Sequence, residues 1–206
     1  MGKRDSYNVV LIRCGPTDWD ADGRIVGRID LPLAADSSLW LSDLLAGLEG
    51  ADLSCVMHGS DQCLLATAEA VARVTGGKLK RVPELVDVGM GLWEGLREQE
   101  LEEKFPSAHR EWRENPSNVS IPEGEPLRDA GRRLMSTIGR TLEKLRNPDP
   151  GVGIVLRPIS YEVVRAWLTG TDVDGGAFSA EGPAHVWHEV ERARLREARE
   201  GAGVGG

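Results

Sequence analysis

Cysteine is scarce in this chain, and so are the long apolar runs and the surplus of positive charge that would point to whole classes of function. Three cysteines, Cys14, Cys55 and Cys63, stand without a Cys-x-x-Cys spacing. They suggest neither a disulfide framework nor a standard zinc motif. No apolar run approaches the ~20 residues of a membrane-spanning helix, and no signal peptide opens the chain, so the expected location is cytoplasmic. Lys and Arg total 25 against 33 Asp and Glu, a formal net charge of −8. That balance, with signs mixed along the chain, argues against a general nucleic-acid or membrane-surface binder. Internal repeats are absent too.

What remains is enough for one domain. The 206 residues are 40% hydrophobic, and strand-like runs alternate with helical periods. Tyr7–Arg13, Leu53–Met57 and Gly153–Leu156 are β-branched or apolar and short. Leu39–Leu48, Cys63–Val74, Leu127–Leu145 and Tyr161–Leu168 carry helical spacings. Lys78–Val82 is a further short strand. This alternation predicts an α/β three-layer sandwich, a mostly parallel sheet with helices on both faces and a site at the carboxyl strand ends. We expect one domain over 1–198, with a charged helical insertion near 97–126 and a flexible Gly-rich tail at 199–206. Residues 185–195 fit a helix or an edge strand equally well.

The richest stretch runs from Leu11 to Gly27, LIRCGPTDWDADGRIVG. A buried strand here feeds a Gly/Pro/Asp loop and delivers Arg13 and Cys14 to the sheet edge. The loop resembles the signature of the histidine phosphatase (phosphoglycerate mutase-like) superfamily, which reads Arg-His-Gly-Glu-Thr, Trp-Asn, Gly-Arg and a further Gly. Further segments follow in the family's order: Asp30-Leu-Pro-Leu33, Thr67-Ala-Glu69, Gly91-Leu-Trp-Glu-Gly-Leu96, Pro122-Glu-Gly-Glu125 and Val164-Arg165.

The resemblance implies a phosphoglycerate mutase-like fold, but the catalytic letters differ. The nucleophilic histidine falls on Cys14 and the second arginine on Cys63. Counted back from Arg165, the second histidine falls on Ser160, and the acid falls on Asp87. Asp20 stands for the phosphate-contacting asparagine and Pro16 for the loop glutamate, leaving Arg13 as the one unchanged core phosphate ligand. Thr17 and Arg24 complete the expected ligand set. Each charge-assisted hydrogen bond removed costs ~1.5–3 kcal/mol, so the family's activity is expected to be lost. The implied role is a binding or regulatory pseudoenzyme whose partner is another protein or a weakly bound small ligand. The alternative is a phosphomonoesterase with residual or Cys14-dependent activity; no cofactor or metal is expected.

Simpler readings cover the rest. Cys14 fills the space of a lost imidazole, since a cysteine phosphatase would need Cys-x5-Arg spacing and Asp20 stands at that place. A metal held by Cys14, Cys63, His58 and Asp87 is disfavoured, with His58 expected to point to solvent. A Cys14–Cys63 disulfide is disfavoured in a cytoplasmic setting. Trp19, Trp93 and Trp167 are packing residues. Residues 97–114 form a solvated face, and His109, His185 and His188 are surface or edge residues.

Overall fold

The computed structural model describes residues 5–145, 148–173 and 183–201. Strands β1 (Ser6–Arg13), β2 (Cys55–His58), β3 (Lys78–Arg81), β4 (Val152–Leu156) and β5 (His185–Glu191) form one sheet in the order β3-β2-β4-β1-β5. The β2–β3, β2–β4 and β1–β4 pairs are parallel, and β5 runs antiparallel along β1. The helices are α1 (Asp18–Ala21), α2 (Ser38–Gly47), α3 (Gln62–Thr75), α4 (Glu98–Lys104), α5 (Pro106–Glu114), α6 (Leu127–Lys144), α7 (Pro158–Thr169) and α8 (Arg192–Gly201).

Alternation along β1 decides the layers. Val9 and Leu11 turn into one apolar core; Val10 and Ile12, followed by Cys14, turn into another. The second core is closed by Leu44 and Leu48 of the α2 segment and by Leu64, Ala68 and Val71 of α3. The first is closed by α6, whose Leu127, Ala130, Leu134, Ile138 and Leu142 lie on one buried stripe, and by α7 and α8. Burying each such leucine stabilises by about 1.5–3 kcal/mol. The expected three-layer α/β sandwich is therefore present.

Two segments needed the third dimension to interpret. Residues 185–195 hold both expected forms: the strand ends at Glu191 and α8 starts at Arg192. Helix α8 reaches Gly201; the rest of the Gly-rich tail lies outside the described residues. The charged insertion is anchored as well as solvated. Leu101 and Trp112 are fully buried, and Trp112 meets Trp93 edge-on with ring centroids 5.9 Å apart. His109 faces Glu98, with Nε2 3.1 Å from the carboxylate, so it is partly buried with a partner, unlike the bare surface residue expected. His188 is likewise half-buried, and burial lowers its pKa.

Among the described residues no helix is long and apolar enough to cross a membrane.

Candidate functional site

Parallel pairing brings the chemistry together. Arg13 ends β1 in register with Leu156 at the end of β4, and Cys14 N–H donates to the Leu156 carbonyl at 2.8 Å. The next residue after each strand, Cys14 and Arg157, therefore leaves the sheet at one level. Helix α3 supplies Cys63 from its first turn, with Thr67 Oγ1 accepting from Gly15 N–H at 3.0 Å. The loop after β3 supplies Asp87.

Arg157 occupies the centre of this cluster. Its guanidinium is buried, with Nη1 3.2 Å from Cys63 Sγ and 3.7 Å from Cys14 Sγ. Nη2 lies 3.5 Å from Asp20 Oδ2, and Nε 4.0 Å from Asp87 Oδ2. Burial alone would push its pKa down, but Cys14, Cys63, Asp20 and Asp87 outweigh burial and hold it above the ordinary arginine range. Asp87 accepts from Ser160 N–H at 3.1 Å and from the Ser160 hydroxyl at 2.5 Å. Burial raises its pKa to about 6 against the pull of Arg157 and Ser160. The two thiols are pushed apart: interaction with Cys63 and burial hold Cys14 well above the ordinary thiol range, whereas interaction with Cys14, helped by the Arg157 guanidinium against burial, lowers Cys63.

The predicted residues divide accordingly. Cys14, Cys63, Asp20, Asp87 and Ser160 converge. Thr17 is the N-cap of α1; its hydroxyl donates to Asp20 Oδ2 at 2.6 Å and fixes that carboxylate. Arg24 lines the cleft, yet its Nη1 donates to the Gly95 carbonyl at 2.8 Å, so it ties two loops together. Arg13 is buried, and burial lowers its pKa while Tyr161, Cys14, Glu162 and Asp20 hold it up. His58 is buried, Nδ1 2.7 Å from the Gly59 carbonyl, and does not point to solvent. Among the described residues no three His, Cys, Asp or Glu side chains are placed to hold a metal ion.

Arg157 is the functional residue that counting along the sequence misses. Spacing from Arg165 points to Ser160, but α7 begins at Pro158, so Ser160 sits in its first turn and touches the site through Asp87. The strand-exit position belongs to Arg157. A signal for it is present in the sequence: a charged residue directly after an apolar strand and before proline, as Arg13 follows Val-Val-Leu-Ile.

Around this centre a frame of loops is locked by backbone bonds. Glu94 Oε1 accepts from Arg28 N–H at 3.0 Å and Met90 N–H at 3.1 Å. Ile25 and Gly95 exchange bonds with their opposite loops, Ile25 N–H to Leu96 and Gly95 N–H to Ile25. The Asp87 carbonyl accepts from Arg28 and Arg133 at 3.1 and 3.2 Å. Gly91, at φ +50, has the Pro122 carbonyl oxygen pressed against the place where a Cβ would stand, so no side chain fits there.

Comparison with known proteins agrees with this frame. The family model described as histidine phosphatase superfamily (branch 1) matches residues 9–186. Phosphoserine phosphatase 1 of Hydrogenobacter thermophilus is 22% identical over 165 residues, 80% of this chain and 77% of that one. A probable phosphoglycerate mutase GpmB of Escherichia fergusonii is 26% identical over 135 residues, 66% of this chain and 63% of its own length. Among solved structures, Bacillus stearothermophilus YhfR superposes with a TM-score of 0.73 at 22% identity, covering 92% of this chain and 99% of that one. Mycobacterial glucosyl-3-phosphoglycerate phosphatase gives 0.71 at 20%, with 89% of each chain covered. At these identities the structural likeness establishes the fold alone, whereas the family model spans most of the sequence. The chain belongs to the histidine phosphatase superfamily, branch 1.

Proposed function

We propose that this chain is a catalytically inactive member of its superfamily that works by binding. The observation that carries the reading is Arg157, whose guanidinium lies among two thiols and two carboxylates where a phosphoryl group would have to enter. The cleft outside it, lined by Asp20, Arg24, Gly27, Asp87 and Pro158, holds about 10 Å³, the least that admits one water. A phosphoryl group is far larger.

Charge supports the same conclusion. Arg13 and Arg157 face Asp20 and Asp87, and at neutral pH Asp87, titrating at about 6, is mostly ionised. Arg24, the third cation at the cleft, is paired with Asp22 at 3.5 Å, so the site sums to near neutrality and a dianion meets no net attraction. Among the described residues, those that contact the Arg157 guanidinium or line the cleft beside it include no histidine to accept a phosphoryl group. A Cys14-dependent phosphatase is disfavoured as well, because interaction with Cys63 and burial raise the Cys14 pKa. The relatives' named phosphatase and mutase activities are therefore not extended to this chain. The partner that fits a closed, near-neutral site is another protein reading the surface, or a small ligand bound weakly.

The test is turnover of p-nitrophenyl phosphate by the purified chain, with and without thiol alkylation, beside Cys14→Ala. Equal rates at the level of the buffer blank are expected, and calorimetry with millimolar phosphate should register no binding. Turnover well above the Cys14→Ala control would sink the inactive reading.

A further inference from the structure

Two thiols meet at this site, and inactivity toward phosphate leaves them without a role. Cys14 follows β1 and Cys63 lies in the first turn of α3. Their backbones are clamped by one hydroxyl: Thr67 Oγ1 accepts from Gly15 N–H at 3.0 Å and donates to the Cys63 carbonyl at 2.8 Å. Arg157 Nη1 bridges both sulfurs at 3.2 and 3.7 Å, and the two thiols influence each other's titration directly. All three cysteines are free, and the third, Cys55, lies at the start of β2 and is not among the groups around Arg157.

We infer that Cys14 and Cys63 are a redox pair that a hydroperoxide closes into an intrachain disulfide, Cys63 attacking and Cys14 resolving. In the first step the Cys63 sulfur attacks a peroxide oxygen. The S–O bond forms, the O–O bond breaks, and the departing hydroxide leaves as water with the proton released by the thiol. Cys63 is oxidised by two electrons to a sulfenic acid and the peroxide is reduced. The Cys14 sulfur then attacks the Cys63 sulfur. The S–S bond forms, the S–O bond breaks, and hydroxide takes the Cys14 proton as a second water. The sum is two thiols and one hydrogen peroxide to one disulfide and two waters.

The division of roles follows from the geometry. Cys63 has the shorter contact to the guanidinium, 3.2 against 3.7 Å, and sits at the N-terminal end of a 14-residue helix. Both favour its thiolate. Arg157 lines the cleft on one side and touches both sulfurs on the other, so an oxidant entering from the cleft meets the sulfurs past that side chain.

The test treats the full reduced chain with stoichiometric hydrogen peroxide, alkylates it under denaturing conditions and maps the peptides by mass. The expected product is a monomer that is about 2 Da lighter before alkylation by the loss of two hydrogens, and that afterwards shows a Cys14–Cys63 linked peptide and Cys55 alkylated. With Cys14→Ala, dimedone should trap a sulfenic acid on Cys63. With Cys63→Ser, Cys14 should be labelled at least about tenfold more slowly than Cys63 is in Cys14→Ala, because it has the longer contact to the guanidinium and lies off the helix N-terminus. A Cys55-containing disulfide, direct conversion to sulfinic acid without a linked peptide, or a sulfenic acid appearing first on Cys14 would each overturn the assignment. None of these readouts involves phosphate, so a failure here leaves the inactive-site reading standing, and the converse holds.

Discussion

The loop clip at Gly91–Gly95 and the cluster around Arg157 are neighbours, yet they relate to the family pattern in opposite ways. The clip matches it almost letter for letter, and each matching residue serves the backbone or the core. Glu94 accepts two main-chain N–H groups, Trp93 fills the core, and Gly91 stands where any Cβ would strike main chain. In the cluster, Cys14, Cys63, Arg157 and Ser160 stand, on the proposed reading, at or beside the positions that would touch phosphate, none with the group that the family resemblance implies there. Residues that satisfy the fold's own polar groups are costly to change whatever the function. Residues whose partner is a substrate can change together once that partner is gone. The difference teaches that a matching signature reports the scaffold first and the reaction only through a few of its letters.

The largest effects should therefore come from the clip. Trp93→Ala opens a cavity beside Trp112 in the principal core and is expected to cost about 3–5 kcal/mol. Gly91→Ala combines positive φ with a Cβ driven into main-chain atoms of Pro122, Glu123 and Gly124, and is expected to cost more than about 3 kcal/mol. Urea denaturation measures both. A loss below about 1 kcal/mol in either, small on the scale of core substitutions, would break the contrast by showing the clip to be as replaceable as the centre.

Asp87 gives the next effect, and its sign is distinctive. Folded Asp87 titrates at about 6 against 3.8 for the free group, so between those values the folded protein binds the extra proton. Its contribution is fully present below about pH 4 and is lost as pH rises through 6, a change of about 3 kcal/mol. Asp87→Asn mimics the protonated form and keeps an oxygen for Ser160. The stability margin of Asp87→Asn over the parent should shrink by about that amount between about pH 7 and about pH 4. A margin independent of pH would mean that the carboxylate is solvated or fully neutralised by Arg157.

How much of this was legible along the chain follows the same division. Strands β1, β2 and β4 are dense in β-branched and apolar residues because both faces are covered, and α6 shows its stripe because only one face is. Fold and clip were therefore readable. Strand β5 was ambiguous because it is an edge, covered along one side, and most of its residues are half-buried or exposed. At the site, Cys14, Cys63, Asp20, Asp87 and Ser160 are found by position. Arg157 is missed because a count from Arg165 carries no information on where α7 begins, which proline sets at the residue after Arg157. The environments of His58 and His109 are not readable either, since each is decided by a contact to Gly59 or Glu98 that periodicity does not encode.

The smaller effects lie in the centre and test whether the space of the missing imidazole still exists. Cys14→His restores the family's residue, but Arg157 Nη1 already lies 3.7 Å from that sulfur and the adjoining cleft holds about 10 Å³. Overpacking should cost about 1–3 kcal/mol, and pairing the change with Arg157→Ala should recover part of it by freeing the guanidinium's volume. Cys14→Ala, by contrast, removes one sulfur whose hydrogen bond to Arg157 is long, 3.7 Å, and should cost only about 1 kcal/mol. If instead the alanine change destabilised the protein as much as Trp93→Ala, Cys14 would belong with the frame. The thiol pair would then be holding Arg157 in place as firmly as Glu94 holds the loops, and the centre would be a second structural knot.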